Sequence, residues 1–122
     1  MPGRSLGGIV IGQPMRLVVR RLGAPTETRS AGDLTLYTFH RLGIAVYTAG
    51  EVVRRISTTN SFFRTRDGLG VGTSLEEVRQ RYGPQLVSRT VEQEEGVAND
   101  QLGIAFGAER QVVVVVLVYP RP

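Results

Sequence analysis

The 122-residue chain has no cysteine, no lysine, a single histidine and no apolar run long enough to cross a bilayer. Without cysteine there is neither a disulfide framework nor a thiolate metal site, and the redox compartment stays open. One histidine, His40, cannot build a two-histidine metal site or supply more than one conventional nucleophile–base pair. It closes a strand-like segment and reads as a turn residue. With no lysine, the glycines at 68, 70 and 72 cannot belong to a P-loop, and their spacing is not that of a dinucleotide fold. All fifteen basic residues are therefore arginine, and the formal net charge is +4. They are scattered, with pairs at Arg20 and Arg21, Arg54 and Arg55, and Arg64 and Arg66, rather than gathered in a stripe that would track a nucleic-acid backbone. Residues 1–7 lack the apolar core of a signal peptide and read as a loose polar arm. The chain reads as soluble, cytoplasmic as it stands or exported with a leader already removed.

What is present is organised around GLGVGTSLEEVRQRYGPQ, residues 68–85. Thr73 and Ser74 each precede a glutamate by three positions, Glu76 and Glu77, so either pair can form a capping box that starts a helix. Leu75, Val78 and Tyr82 make one narrow apolar stripe, and Gly83 with Pro84 stops the helix. The same grammar stands sixty positions earlier: Gly12 over Gly72, Met15 over Leu75, Val18 over Val78, Gly23 over Gly83. Two helices of about three turns are expected, each too short to stand without a sheet behind it.

After the first helix, residues 26–33 read as a turn-rich connection. Strands are expected at 34–40, 44–48 and 52–58, joined by short turns into an antiparallel meander. Residues 60–67, NSFFRTRD, join the copies and carry Phe62 and Phe63, which anchor the joint to the core. The second copy runs through a strand at 86–92, an acidic turn at 92–96 whose glutamates 92, 94 and 95 read as a solvated loop, and LGIAFG at 102–107, a repeat of LGIAVY at 42–47. It ends in VVVVVLVY, residues 112–119, apolar on both faces and so in need of cover on both. That cover can come from inside the chain, from a second copy or from another partner. The offset is constant at both ends of the repeat, which predicts an α+β domain of two tandem helix-plus-meander repeats, 8–59 and 68–119, sharing one antiparallel sheet.

The glycine-framed capped helix, the strand meander with its LGI hairpin, and the recurrence of both after the FFRTRDGLGVG junction resemble the β-lactamase inhibitory protein fold group. A single copy is similar to the small lipoprotein of the outer-membrane barrel assembly machinery. The resemblance implies a sheet with both helices on one face and an open, often concave, face that grips other proteins. Its members are secreted, carry disulfides and bind through aromatics, whereas this chain has no cysteine.

The expected function is accordingly a non-enzymatic protein-binding module that needs no cofactor or metal, its partner unnamed. Candidate contact residues are Tyr37, Phe39 and Tyr47 of the first meander, with Arg54, Arg55, Arg64 and Arg66; for the three aromatics, core packing is the competing reading. Two other readings stay open: arginine-mediated nucleic-acid binding, and a structural homodimer sealed by residues 112–119.

Overall fold

A computed structural model of the chain describes residues 5–120, so most of the arm expected at 1–7 lies outside the described residues. Its last part is not loose: β1 (Ser5–Leu6) pairs with β2 (Ile9–Val10) in a small hairpin, and the Gly7 N–H donates to the Arg64 carbonyl at 3.0 Å. Helix α1 (Met15–Leu22) follows, then β3 (Glu27–Ala31), β4 (Leu34–Phe39), β5 (Ile44–Ala49) and β6 (Val52–Thr58). After the junction come α2 (Leu75–Tyr82), β7 (Val87–Val91), β8 (Glu94–Asn99), β9 (Ile104–Glu109) and β10 (Val112–Val118).

Each helix has eight residues, a little over two turns rather than about three, and ends where expected: Gly23 and Gly83 take positive φ, 90° and 58°, directly after the last apolar contact. Of the two capping pairs, Ser74 with Glu77 is the one used: the Ser74 hydroxyl accepts the Glu77 N–H at 3.1 Å. Thr73 instead accepts the Gly70 N–H, also at 3.1 Å. Neither helix is free. The Gly12 N–H donates to Val53 O (2.8 Å) and the Met15 N–H to Glu51 O (2.8 Å), while Gly72 donates to Val113 O (2.8 Å) and Leu75 to Gln111 O (2.9 Å). Each helix start is thus stitched to the strand behind it.

The remaining strands form one antiparallel eight-stranded sheet in the order β3-β4-β5-β6-β10-β9-β8-β7. Its centre is the pairing of β6 with β10, where Thr58 faces Val116, Ser57 faces Leu117 and Ile56 faces Val118. Two strands, β3 and β8, correct the sequence reading, while β7 falls within the strand expected at 86–92. Residues 26–33 and 92–96 were expected as connections, but β3 turns into β4 through Gly32 and Asp33, and β7 into β8 through Glu92 and Gln93, both at positive φ (50° and 75°). Every residue of β3 is exposed, so no apolar alternation marks it as a strand.

Met15 and Val18 of α1 and Leu75, Val78 and Tyr82 of α2 join a single core cluster with Val46, Ile56, Phe106 and Val116 from the sheet. The Tyr82 ring stacks on Phe106 at 6.0 Å, and its hydroxyl donates to Asp67 Oδ2 at 3.0 Å. Burial, reinforced by that carboxylate, pushes the Tyr82 phenol well above its ordinary range. The opposite parity of β10 finds cover in a smaller cluster, Val91, Ala98, Ala105 and Val115, with Val114, Leu117 and Tyr119 packed against it. The strand that is apolar on both faces is therefore paired along both edges and covered largely by its own chain. At the junction only Phe63 is anchored. Phe62 is 82% exposed, its ring edge-on to Phe63 at 5.3 Å.

The second cluster requires β7, β8 and β9 to curl toward β10, and glycine permits the close approach. A Cβ at Gly96 would lie 2.0 Å from the Phe106 carbonyl oxygen, and one at Gly107 would lie 2.5 Å from Val115 Cγ1 and 3.0 Å from the Val91 carbonyl oxygen. Phe106→Ala is expected to destabilise the protein by about 3–5 kcal/mol, the usual cost of emptying a core aromatic site. Gly96→Ala adds a single methyl group, yet it is expected to cost more than the ~1 kcal/mol of an average substitution. Urea unfolding followed by circular dichroism measures both, and an unaffected Gly96→Ala variant would contradict the tight curl.

A concave sheet face lined by Tyr47, Arg55, Leu117 and Tyr119

Strand alternation decides which side chains meet on the face away from the large core. In β5, Ile44, Val46 and Thr48 are buried, so Ala45, Tyr47 and Ala49 point the other way. Register carries that face across the sheet: Tyr47 opposes Arg55, Ser57 opposes Leu117, Leu117 opposes Ala105, and Ala105 opposes Ala98. Small residues on β8 and β9 and bulkier ones on β5, β6 and β10 turn this face into a hollow. A cavity of about 460 Å³ lies in it, lined by Tyr47, Arg55, Val91, Glu92, Leu117 and Tyr119 among others.

The Arg55 guanidinium carbon sits 5.4 Å from the centroid of the Tyr47 ring, within cation–π range. Burial raises the Tyr47 phenol above its ordinary pKa, the charge of Glu92 adds to the rise, and Arg55 opposes it. Glu92 stands at the tip of the β7–β8 hairpin, so that tip reaches across the hollow toward the first half of the chain.

The far side is held by three polar groups. Arg89 grips the Asp100 carboxylate with both terminal nitrogens, Nη2 donating to Oδ2 at 2.7 Å and Nη1 pairing with Oδ1. The Tyr119 hydroxyl donates to the same Oδ1 at 2.6 Å. Hydrogen bonds from Arg89 and then Tyr119 hold the Asp100 carboxyl below the usual carboxylate range, while burial and then Asp100 push the Tyr119 phenol upward. The pair fixes Tyr119 at the rim without placing a reactive group there. Aromatic planes, a guanidinium and a curved apolar floor can hold a partner surface.

Of the residues singled out in the sequence, Tyr47 and Arg55 meet in this hollow. Phe39 is 2% exposed and lies in the large core, and Tyr37 packs against that core with its hydroxyl donating to Glu51 Oε1 at 3.3 Å. Both sit on the parity of Val46 and Ile44, which belong to the large core cluster. Arg54 is exposed where the β5–β6 register shifts, and it does not line the cavity. Arg64 and Arg66 are on the junction loop, where the Arg64 guanidinium donates to the Gly68 carbonyl at 2.9 Å. Leu117, Tyr119, Arg89 and Asp100 were missed. The signal lay in VVVVVLVY itself, whose two parities face different clusters. Among the described residues there is no group of three potential metal ligands, and no helix is long and apolar enough to cross a membrane.

No model of a known protein family matches the chain, and no curated protein matches it either. Solved structures do. A cysteine-rich secretory protein from Staphylococcus aureus aligns over 89% of this chain with a TM-score of 0.60 and 12% identity. An extracellular protein containing a SCP domain from Bacillus anthracis aligns over 89% with a TM-score of 0.66 and 11% identity. The chain spans 44% and 43% of those two proteins, less than half of each. These likenesses overturn the resemblance to the β-lactamase inhibitory protein group and to the barrel-assembly lipoprotein. A capped helix with a glycine stop and an LGI hairpin specify local elements that many α+β folds share. The full strand order, with an extra edge strand at each end, was not contained in those motifs.

The Asp100 carboxyl has its pKa depressed in the folded state, so its bonds to Arg89 and Tyr119 add stability above the unfolded carboxylate pKa and lose it as pH falls through the folded value. Asp100→Asn is expected to lower the melting temperature at pH 7, and the gap to the unaltered protein is expected to close as pH drops below about 4. Thermal melts across pH 2–8 read the difference. A gap that persists unchanged at the lowest pH would contradict an ionic origin.

Proposed function

We propose that the chain is a non-enzymatic protein-binding module that takes its partner on the concave face of the sheet. The observation that carries this reading is the 460 Å³ hollow in which Tyr47 and Arg55 from one half meet Leu117 and Tyr119 from the other. Tyrosine and arginine are the side chains that most often dominate protein interfaces, and curvature adds contact area.

A finer architecture goes with it: an internal duplication whose two helices back one side and leave the other for contact. Its support is the sixty-residue offset between backbone hydrogen bonds, Gly12 to Val53 against Gly72 to Val113, and Met15 to Glu51 against Leu75 to Gln111. Register shifts at Tyr47/Thr48 in β5 and at Val113/Val115 in β10 put Arg54 and Val114, also sixty apart, at bulges. Both helices bury their stripes in the same cluster, and Leu117 and Tyr119 pack on the other. The similar bacterial proteins are described as secretory and extracellular, which supports a partner met outside the cytoplasm.

A photo-crosslinking residue at position 117 is expected to capture a discrete protein from the producing organism, and the same residue at position 76, exposed on α2, to capture none of it. Addition of Tyr47→Ala and Arg55→Ala to the position-117 probe is expected to reduce the crosslink at least tenfold. Equal capture from both positions, or retention in the double variant, would overturn the assignment to this face. No shift of labelled DNA or RNA is expected at any salt concentration; a shift with a steep salt dependence would favour an arginine-mediated nucleic-acid site.

A further inference from the structure

The two ends of the sheet are not equally protected. At the β3 edge, Glu27 and Arg29 alternate and pair at 2.8 Å, and His40 approaches Glu27 at 3.6 Å, a charged guard of the kind that keeps edge strands single. At the other end β7 reads VSRTV. Its one charge, Arg89, is drawn away to Asp100, and Val87 is 46% exposed. Among the described residues nothing pairs with the outer side of β7.

The register of the hairpin says which groups that edge offers. With Val91 facing Glu94 across the two-residue turn, hydrogen-bonded pairs alternate at Val91, Arg89 and Val87, so the N–H and C=O groups of Ser88 and Thr90 point outward. Two hollows flank the same strand. One is the 460 Å³ cavity of the concave face, bounded by Arg89, Thr90, Val91 and Glu92 on its β7 side. The other, about 690 Å³, lies on the α2 side, between Leu75 and Arg79 of the helix and Ser88 and Thr90 of the strand, with Arg110 and Glu95 at its margin.

The first half of the chain supplies an internal contrast. Sixty residues before Val97, which lines the larger hollow, stands Tyr37, whose ring packs on the core and whose hydroxyl reaches Glu51, sixty before Gln111. Valine in place of that tyrosine leaves the second-half space open. Val19 and Gly50 correspond to Arg79 and Arg110 and Thr35 to Glu95, so the opened space gains two cations against one carboxylate. Among the described residues neither arginine has a carboxylate within salt-bridge distance.

We propose that the free edge of β7 takes an extended segment of a protein partner as a ninth strand, apolar side chains of one parity entering the concave hollow and acidic side chains of the other lying against Arg79 and Arg110. This deepens the binding reading above and rests on it. Backbone pairing would supply affinity and the two hollows the choice of sequence, the division of labour common to strand addition. The occupant is an acidic–apolar alternating segment because two arginines without a carboxylate partner, Arg79 and Arg110, outnumber the one carboxylate, Glu95, in the hollow beside the edge, and the space on its other side is lined by Leu117, Val91 and aromatic rings.

The test uses the intact protein and acetylated ten-residue peptides in which valine alternates with glutamate, valine alternates with lysine, or the valine–glutamate composition is scrambled. The valine–glutamate peptide is expected to slow amide exchange of Ser88 and Thr90 at least tenfold at saturation, and the other two to leave it unchanged. Thr90→Pro removes an outward N–H without breaking the hairpin ladder, and is expected to abolish binding with the melting temperature little altered. Arg79→Glu with Arg110→Glu is expected to reverse the preference toward the lysine peptide, and it decides the matter if the proline variant does not fold. Binding that shifts Leu117 and Tyr119 signals but not Ser88 and Thr90 would overturn the edge proposal and leave the concave-face reading standing. Loss of both sets of shifts would overturn both. Protection of Ser88 and Thr90 that appears without peptide and rises with protein concentration would assign the edge to a second copy and overturn the acidic-segment proposal.

Discussion

Everything in this molecule hangs on the pairing of β6 with β10. Neither half has enough sheet to cover its own short helix and still present a face, since eight-residue helices are unstable without a packed surface. Thr58 against Val116, Ser57 against Leu117 and Ile56 against Val118 convert two four-stranded pieces into one layer. The side chains alternate across that line. Ile56, Val116 and Val118 enter the large core cluster, while Arg55 and Leu117 line the hollow of the concave face. One register therefore sets both the stability of the protein and the composition of its candidate site, and a slip of a single residue would exchange the two faces.

Curvature is the second constraint, and it is localised. Gly96 and Gly107 face each other across β8 and β9, and neither position has room for a methyl group. The resulting curl brings Val91 over Ala105 and Val115 and carries the β7–β8 tip, with Glu92, toward Tyr47. A flat sheet of the same strands would leave Val115 and Leu117 bare beside a run of β-branched residues, an invitation to aggregate. The curl covers that surface from within and makes the hollow as a by-product. Folding and binding surface share a cause.

Much of the architecture was legible in the sequence because it rests on local chemistry. Ser74 before Glu77, glycine at 23 and 83, and the LGI turns each have one good conformational reading, and the helices and the inner strands other than β8 followed from them. Two strands were not legible. Glu27–Ala31 is exposed throughout and lacks the alternation by which a half-buried strand announces itself, and Glu94–Asn99 opens on glutamates that read as a solvated turn. The site was half legible: Tyr47 and Arg55 were named, but Phe39 and Tyr37 belong to the opposite parity. Tyr119, Arg89 and Asp100 come together only through the register of β7, β8 and β10, which no local pattern specifies. The family resemblance failed for the same reason, having been drawn from local elements rather than from strand order.

The account stands or falls on whether the two halves form one cooperative layer. Native-state hydrogen exchange across a series of low denaturant concentrations tests this most directly, with Val46 and Phe106 amides as reporters on either side of the centre and Leu117 on it. A single layer predicts that the slowest amides of β5, β9 and β10 converge on the same opening free energy and the same denaturant dependence. Separate opening of the two halves, with the β6–β10 amides exchanging before either, would contradict it.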